Sequence, residues 1–193
     1  MPNASPITSP QVAAHHELIL LALSSTLGDR RVIYLSGPIT TGLGWVDAVQ
    51  QGAQAGTREL VKAENTKRLS AAAARLRREN PTAIVVDPAS FTATGWSQDD
   101  YLLLWKSLIE RHAGEVRFLP NWQYSIGCVR EFEHAVVSGV RTSDIDGTVL
   151  SVNMGIKLLQ DAAGTVEVRY QQAEELGPLL QALKSVLDAI SKK

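Results

Sequence analysis

One cysteine, Cys128, stands in 193 residues. That excludes an internal disulfide framework and a multi-cysteine zinc site. A lone thiol suits a reducing compartment, and its plainest role is as a small buried filler. Charge of one sign is also lacking: nineteen Lys and Arg meet twenty Asp and Glu, for a net charge of −1. No bulk attraction to a nucleic-acid polymer or an acidic membrane follows from that balance, so a small-molecule partner is expected. No apolar run approaches the roughly eighteen residues of a membrane span. The apolar stretch at residues 18–23 follows His15, His16 and Glu17, where a secretion signal would carry positive charge. A soluble, cytoplasmic protein is expected. The histidines form no metal pair, because His15 and His16 are adjacent and face apart on a helix, while His112 and His134 fall in separate elements. Neither a metal nor another cofactor is expected, and no repeat or low-complexity segment is present.

What remains is a chain long enough for one domain with decorations. Residues 1–9, with repeated Pro and Ser, read as a flexible lead-in, and Ser9-Pro10 opens a helix that runs to Leu27 before Gly28. Residues 31–35 (Arg-Val-Ile-Tyr-Leu) form a first short strand. A long polar, Ala-rich stretch with helical character extends to Arg78, and residues 82–86 form a second strand closed by Asp87-Pro88. Ser97 is a natural N-cap, with Asp99 and Asp100 in the first turn of the helix that follows. Residues 116–119 form a third strand, and residues 127–137 a helix ending before Gly139. Short apolar strands alternating with helices predict an α/β fold of the Rossmann/flavodoxin-like type, a parallel sheet flanked by helices, with an extra N-terminal helix and C-terminal helices. Its core domain spans residues 10–140. Residues 141–193 read as a helical extension of that domain, with helices near 149–163 and 173–191.

Ligands of open parallel sheets bind beyond the carboxyl ends of the strands. Three loops occupy that edge. The first, Ser36-Gly37-Pro38-Ile39-Thr40-Thr41-Gly42, allows close backbone approach and offers hydroxyls, although its glycine spacing matches neither the dinucleotide fingerprint nor the phosphate loop, and an ordinary tight turn accounts for it as well. The second begins at Asp87. The third, with Trp122, Tyr124, Ser125 and Gly127, runs into a helix carrying Arg130, Glu131 and Glu133; such a helix start favours an anion, with Ser125 adding a hydroxyl. A carboxylate at Glu131 would point into the same crevice and could attack an electrophilic sugar carbon. The alternative is that acidic residues simply favour the first turns of helices. Trp45, Trp96, Tyr101, Trp105, Trp122 and Tyr124 gather near these loops and suit stacking on a base. Trp105 has helical spacing with core leucines, so Trp122 and Tyr124 are the better pocket candidates.

The arrangement Tyr34-Leu-Ser-Gly37-Pro38, Asp87-Pro88 and Trp122-x-x-Ser125-x-Gly127-x-x-x-Glu131-x-x-x-Ala135 resembles the nucleoside 2-deoxyribosyltransferase-like superfamily over about residues 31–140. The resemblance implies that Glu131 is the nucleophile that forms a glycosyl-enzyme, with Tyr34 beside the carboxylate and sugar. Gly37, Pro38, Ile39, Thr40, Asp87, Trp122, Ser125 and Gly127 are then the substrate-binding positions. Ser125 stands where the transferases carry Asp and where the branch that hydrolyses deoxynucleoside 5′-monophosphates uses Ser on the phosphate. Hydrolysis of the N-glycosidic bond of a nucleoside 5′-monophosphate is therefore the implied activity; a nucleoside 2-deoxyribosyltransferase, a non-catalytic nucleotide sensor and cleavage of the nicotinamide bond of a dinucleotide are the competing readings. The family carries an Asp on the helix before the third strand and another where that strand begins. Here the strand begins Gly114-Glu115-Val116, and Asp100 is the candidate partner acid, although a dipole partner at the helix start is an equal reading of it. Related enzymes complete the pocket from a neighbouring subunit, which implies a homodimer.

Overall fold

In the computed structural model, which describes residues 10–28, 30–171 and 173–192, the expected α/β fold is formed. The elements run α1 (Pro10–Leu27), β1 (Val32–Ser36), α2 (Leu43–Gln50), α3 (Thr57–Glu79), β2 (Ile84–Val86), α4 (Gln98–His112), β3 (Glu115–Phe118), α5 (Ile126–Val137), β4 (Arg141–Asp144), α6 (Val152–Tyr170) and α7 (Gly177–Ile190). The strands lie in the order β2-β1-β3-β4, and every pairing is parallel. The lead-in expected at residues 1–9 lies outside the described residues.

β1 is buried along its whole length, as a strand covered on both faces must be. Its alternating side chains feed two cores. Ile33 and Leu35 meet Leu69, Ala73 and Leu76, the single apolar stripe of the otherwise polar α3. Tyr34 joins the larger core built from α1, α2, α4, α5, α6 and α7. Burying each such leucine is worth about 1.5–3 kcal/mol, so three residues suffice to hold a long polar helix on its face.

Two features differ from the expected pattern. The long helical stretch before Arg78 is broken between α2 and α3, where Gly52 and Gly56 take φ of 76° and 86°, left-handed values that suit glycine. Residues 141–144, expected in a helical extension, instead add β4 to the sheet. This strand is polar, yet its two buried hydroxyls are satisfied: Thr142 donates to the Leu150 carbonyl at 2.6 Å and Ser143 to Glu115 at 2.7 Å. Glu115, fully buried, also pairs with Arg31, with Arg117 at 3.2 Å and with Arg141 at 3.5 Å. Burial pushes its carboxyl up, but the Ser143 hydroxyl and the Arg117 and Arg31 guanidinium groups outweigh that and hold it below the ordinary range.

The order β2-β1-β3 makes β1 and β3 the place where successive connections diverge. The loop after β1 leads toward α3 on one face, and the loop after β3 leads into α5 on the other. Such a switch point opens a crevice at the carboxyl edge of the sheet.

Candidate active site

Strand geometry places residues i and i+2 on one side. Tyr34 and Ser36 therefore both face α5, where Glu131 lies five residues into the helix. The Tyr34 hydroxyl donates to Glu131 Oε1 at 2.6 Å, and the Ser36 hydroxyl donates to Oε2 at 2.6 Å. Glu131 is 7% exposed. It sits beyond the first turn of α5 and points inward, so the dipole explanation fits it poorly. Glu133 instead pairs along the helix with Arg130 at 3.0 Å. Burial raises the Glu131 carboxyl above its ordinary value; the Ser36 and Tyr34 hydroxyls pull the other way without cancelling that rise. Tyr34 is pushed well above its ordinary range, first by burial and then by the adjacent carboxylate.

This carboxylate faces a cavity of about 480 Å³ at the switch point. From the loop after β1 come Gly37, Ile39, Thr40 and Thr41; from α3 come Lys62 and Thr66; from the loop after β2 come Pro88, Ala89, Phe91 and Thr92. Helix α4 adds Gln98, Tyr101, Leu102 and Trp105, and the start of α5 adds Ser125, Ile126, Gly127 and Cys128. Asn65 of α3 fixes the first of these loops by donating to the carbonyls of Ile39 at 3.2 Å and Thr41 at 2.7 Å. Ser125 caps α5 through its backbone position only, with no side-chain cap bond, so its hydroxyl is not consumed there. The Cys128 thiol, buried as the sequence suggests, is pushed up by burial and by the Glu131 charge.

The expected site residues divide in two. Glu131, Gly37, Ile39, Thr40, Ser125 and Gly127 line the cavity, and Tyr34 supports the carboxylate from behind. Pro38 is buried beneath Gly42, where an added Cβ would lie 2.7 Å from its own, and does not line the cavity. Asp87 shapes the wall instead of forming it, since its carboxylate accepts from the Ala89 amide at 3.0 Å and caps the turn Pro88–Ser90. Trp122 belongs to the core, with its ring 4.7 Å from Phe118 and 4.9 Å from Phe132. Tyr124 likewise packs on that core. Trp105 is in that core, as expected, and also forms part of the cavity wall.

Asp100 is not brought to Glu131. Its carboxylate accepts from the Ser97 amide at 2.8 Å and the Ser97 hydroxyl at 2.7 Å, completing a capping box. Those bonds hold it below the ordinary carboxylate range. Lys62, Thr66, Phe91 and Gln98 are site residues the sequence reading passes over, and Ser36, placed in the hydroxyl-bearing loop, is not recognised there as a partner of Glu131. Only Ser36 carried a usable signal, its two-residue spacing from Tyr34; α3 reaches the cavity from the far face of the sheet, which no local pattern reveals. Comparisons of the chain with protein-family models, curated proteins and solved structures find no match.

Proposed function

We propose that this chain is an N-glycosidase that hydrolyses the bond between C1′ and the base of a nucleoside 5′-monophosphate, with Glu131 as nucleophile. The observation that carries the reading is a buried carboxylate, gripped by the Tyr34 and Ser36 hydroxyls, facing a nucleotide-sized cavity. The likeness of residues 31–140 to the deoxyribosyltransferase-like motifs supports it from the sequence side. Two hydroxyls fix the carboxylate's direction, so little orientational entropy is left to lose in the transition state. A Glu131 oxygen attacks C1′ as the C1′–N bond breaks. The base departs with the glycosidic electron pair, water then attacks C1′ of the glycosyl ester, the proton that water gives up balances the departed base, and the sugar phosphate leaves as the carboxylate returns. Ser125, the first-turn amides of α5 and Lys62 supply hydroxyl, N–H and positive charge for the phosphate.

A panel of nucleosides and their 5′-monophosphates, read as free base by chromatography, tests the assignment. Base release from at least one monophosphate, lost in Glu131→Ala, supports it. Nucleotide binding without release from any member overturns it in favour of a binding module.

Two results follow at the same site. A Cβ on Gly127 would meet nothing closer than Ser125 Oγ at 3.9 Å, and its backbone is helical. Gly127→Ala then keeps or raises thermal stability by about 0.5–1 kcal/mol while placing a methyl where the phosphate enters. We expect kcat/KM to fall at least about tenfold, the loss a displaced charge-assisted hydrogen bond produces; unchanged kcat/KM would remove the phosphate from the α5 start. The second result concerns pH. Only ionised Glu131 attacks, and its carboxyl titrates above the ordinary value, so kcat/KM rises with pH through an acid limb centred above 4.5. A limb at or below that value contradicts the desolvated nucleophile.

A further inference from the structure

Departure of a base pushes the glycosidic electron pair onto a ring nitrogen. A neutral purine or pyrimidine leaves as an anion unless an acid protonates it, and a positioned acid is worth about 10²–10⁴-fold. A base joined through a quaternary pyridinium nitrogen leaves neutral and needs no proton.

Among the described residues, Glu131 is the one acidic side chain lining the cavity, and it is the attacking group. The two phenol hydroxyls near it are occupied. Tyr34 donates to Glu131 itself, and Tyr101 donates to the Ala93 carbonyl at 3.1 Å while accepting from the Ala93 amide at 2.8 Å. Asp100 is bound into the Ser97 cap. Lys62, the one cation on the wall among the described residues, arrives with Thr66 on α3, from the opposite face of the sheet to α4 and α5.

What stands beside the carboxylate is aromatic. The Trp105 ring lies 6.1 Å from Tyr34, whose hydroxyl holds Glu131; Phe91 lies 5.6 Å beyond Trp105, and Tyr101 lies 6.2 Å from Phe91. Phe91, Tyr101 and Trp105 all line the cavity. Aromatic side chains that share a cavity with a buried carboxylate make a niche for a flat cation, which gains cation–π attraction from whichever ring it covers and supplies the missing counter-charge.

Resting on the N-glycosidase reading, we infer that the site's substrate class is nucleotides whose base is a ribosylated pyridinium cation, held on the Phe91–Trp105 wall with its 5′-phosphate toward Lys62. The step balances without an acid. A Glu131 oxygen bonds to C1′, the C1′–N bond breaks, and its electron pair neutralises the ring nitrogen. Water then replaces Glu131 at C1′, the carboxylate regains its pair, and one proton goes to solvent. As the bond stretches, positive charge moves from the ring to C1′, toward Glu131, so the carboxylate binds the transition state better than the ground state.

The test compares nicotinamide mononucleotide with adenosine, uridine and thymidine 5′-monophosphates over about pH 5–10, reading free base. We expect kcat/KM for the pyridinium nucleotide to exceed the others by at least about 100-fold, the lower bound for an absent acid, with kcat level toward alkaline pH. Lys62→Ala should raise KM for this nucleotide by a larger factor than it raises KM for the dephosphorylated riboside. Equal or faster release from the neutral-base monophosphates, with an alkaline limb that Lys62→Ala removes, overturns this inference and leaves the N-glycosidase reading intact. No release from any of the four overturns both.

Discussion

With Glu131 as the proposed nucleophile, Glu131→Gln is expected to lose base release by at least about 10³-fold, the scale on which removal of a nucleophile acts, and to keep or gain stability at neutral pH. The amide has the carboxylate's shape, accepts the Tyr34 hydroxyl on its oxygen and can donate to Ser36, whose hydroxyl oxygen also accepts. What it lacks is the charge. Because the folded carboxyl titrates above its ordinary value of 4.5, the folded state holds the proton more tightly than the unfolded chain does. The protonated carboxyl's contribution is then fully present below that ordinary value and is lost as pH rises through the folded value. Above the folded value the wild type carries a desolvated anion and the variant does not, and below the ordinary value the difference closes, so about pH 8 and about pH 4.5 are the conditions to compare. Thermal unfolding at both pH values, alongside the base-release assay, reads the two effects separately. Retained turnover would remove Glu131 from the nucleophile's role, and a large stability loss at pH 8 would mean the hydroxyls stabilise the anion more than burial penalises it. A group that weakens the fold in its reactive state is the trade expected where chemistry, and not packing, selects the residue.

The parts of the fold legible in the sequence were those whose burial is apolar. Val-Ile-Tyr-Leu of β1 and the capped start of α4 are read from pattern alone. β4 was not, because Arg-Thr-Ser-Asp has no apolar residue; its burial rests on hydrogen bonds to Leu150 and Glu115, which are partners remote in sequence. The site divides along the same line. Glu131 and Tyr34 follow from the resemblance of their motifs, whereas Trp122, expected in the pocket, is in the core, and Trp105, in the core as expected, also lines the cavity. A loop position favoured exposure for Trp122, yet Phe118 lies four residues before it and Phe132 one helix later, and together they close the core over the indole. Asp100 was ambiguous on sequence, and the three-residue spacing from Ser97 decided it for the cap.

The position of Glu131 depends on a contact no motif announces. In α6, Leu159, Ala162 and Val166 are buried at helical spacing, and Gly155, one turn earlier, meets the Cζ end of the Phe132 ring of α5. A Cβ at Gly155 would lie 2.7 Å from Phe132 Cε1 and Cε2 and nearer still to Cζ. Alanine favours a helix over glycine by about 1 kcal/mol, but overpacking a closed core costs about 1–3 kcal/mol. Phe132 is fully buried, so its ring has no solvent to swing into, and the clash should win. Gly155→Ala is therefore expected to lower Tm, by about 2–4 °C for each kcal/mol lost in a chain of this size. Movement of α5 would relieve the clash and would carry Glu131, the neighbouring residue, with it, and a misplacement of about 1 Å can cost about 10²-fold in rate. We expect kcat to fall by that order while the acid limb shifts, a change that simple loss of folded protein would not produce. Phe132→Leu in the same background restores room: the double variant should be more stable than the two single losses sum to, with kcat partly recovered. Strict additivity, or a Gly155→Ala protein with wild-type Tm and kcat, would show that α6 does not set the carboxylate's place.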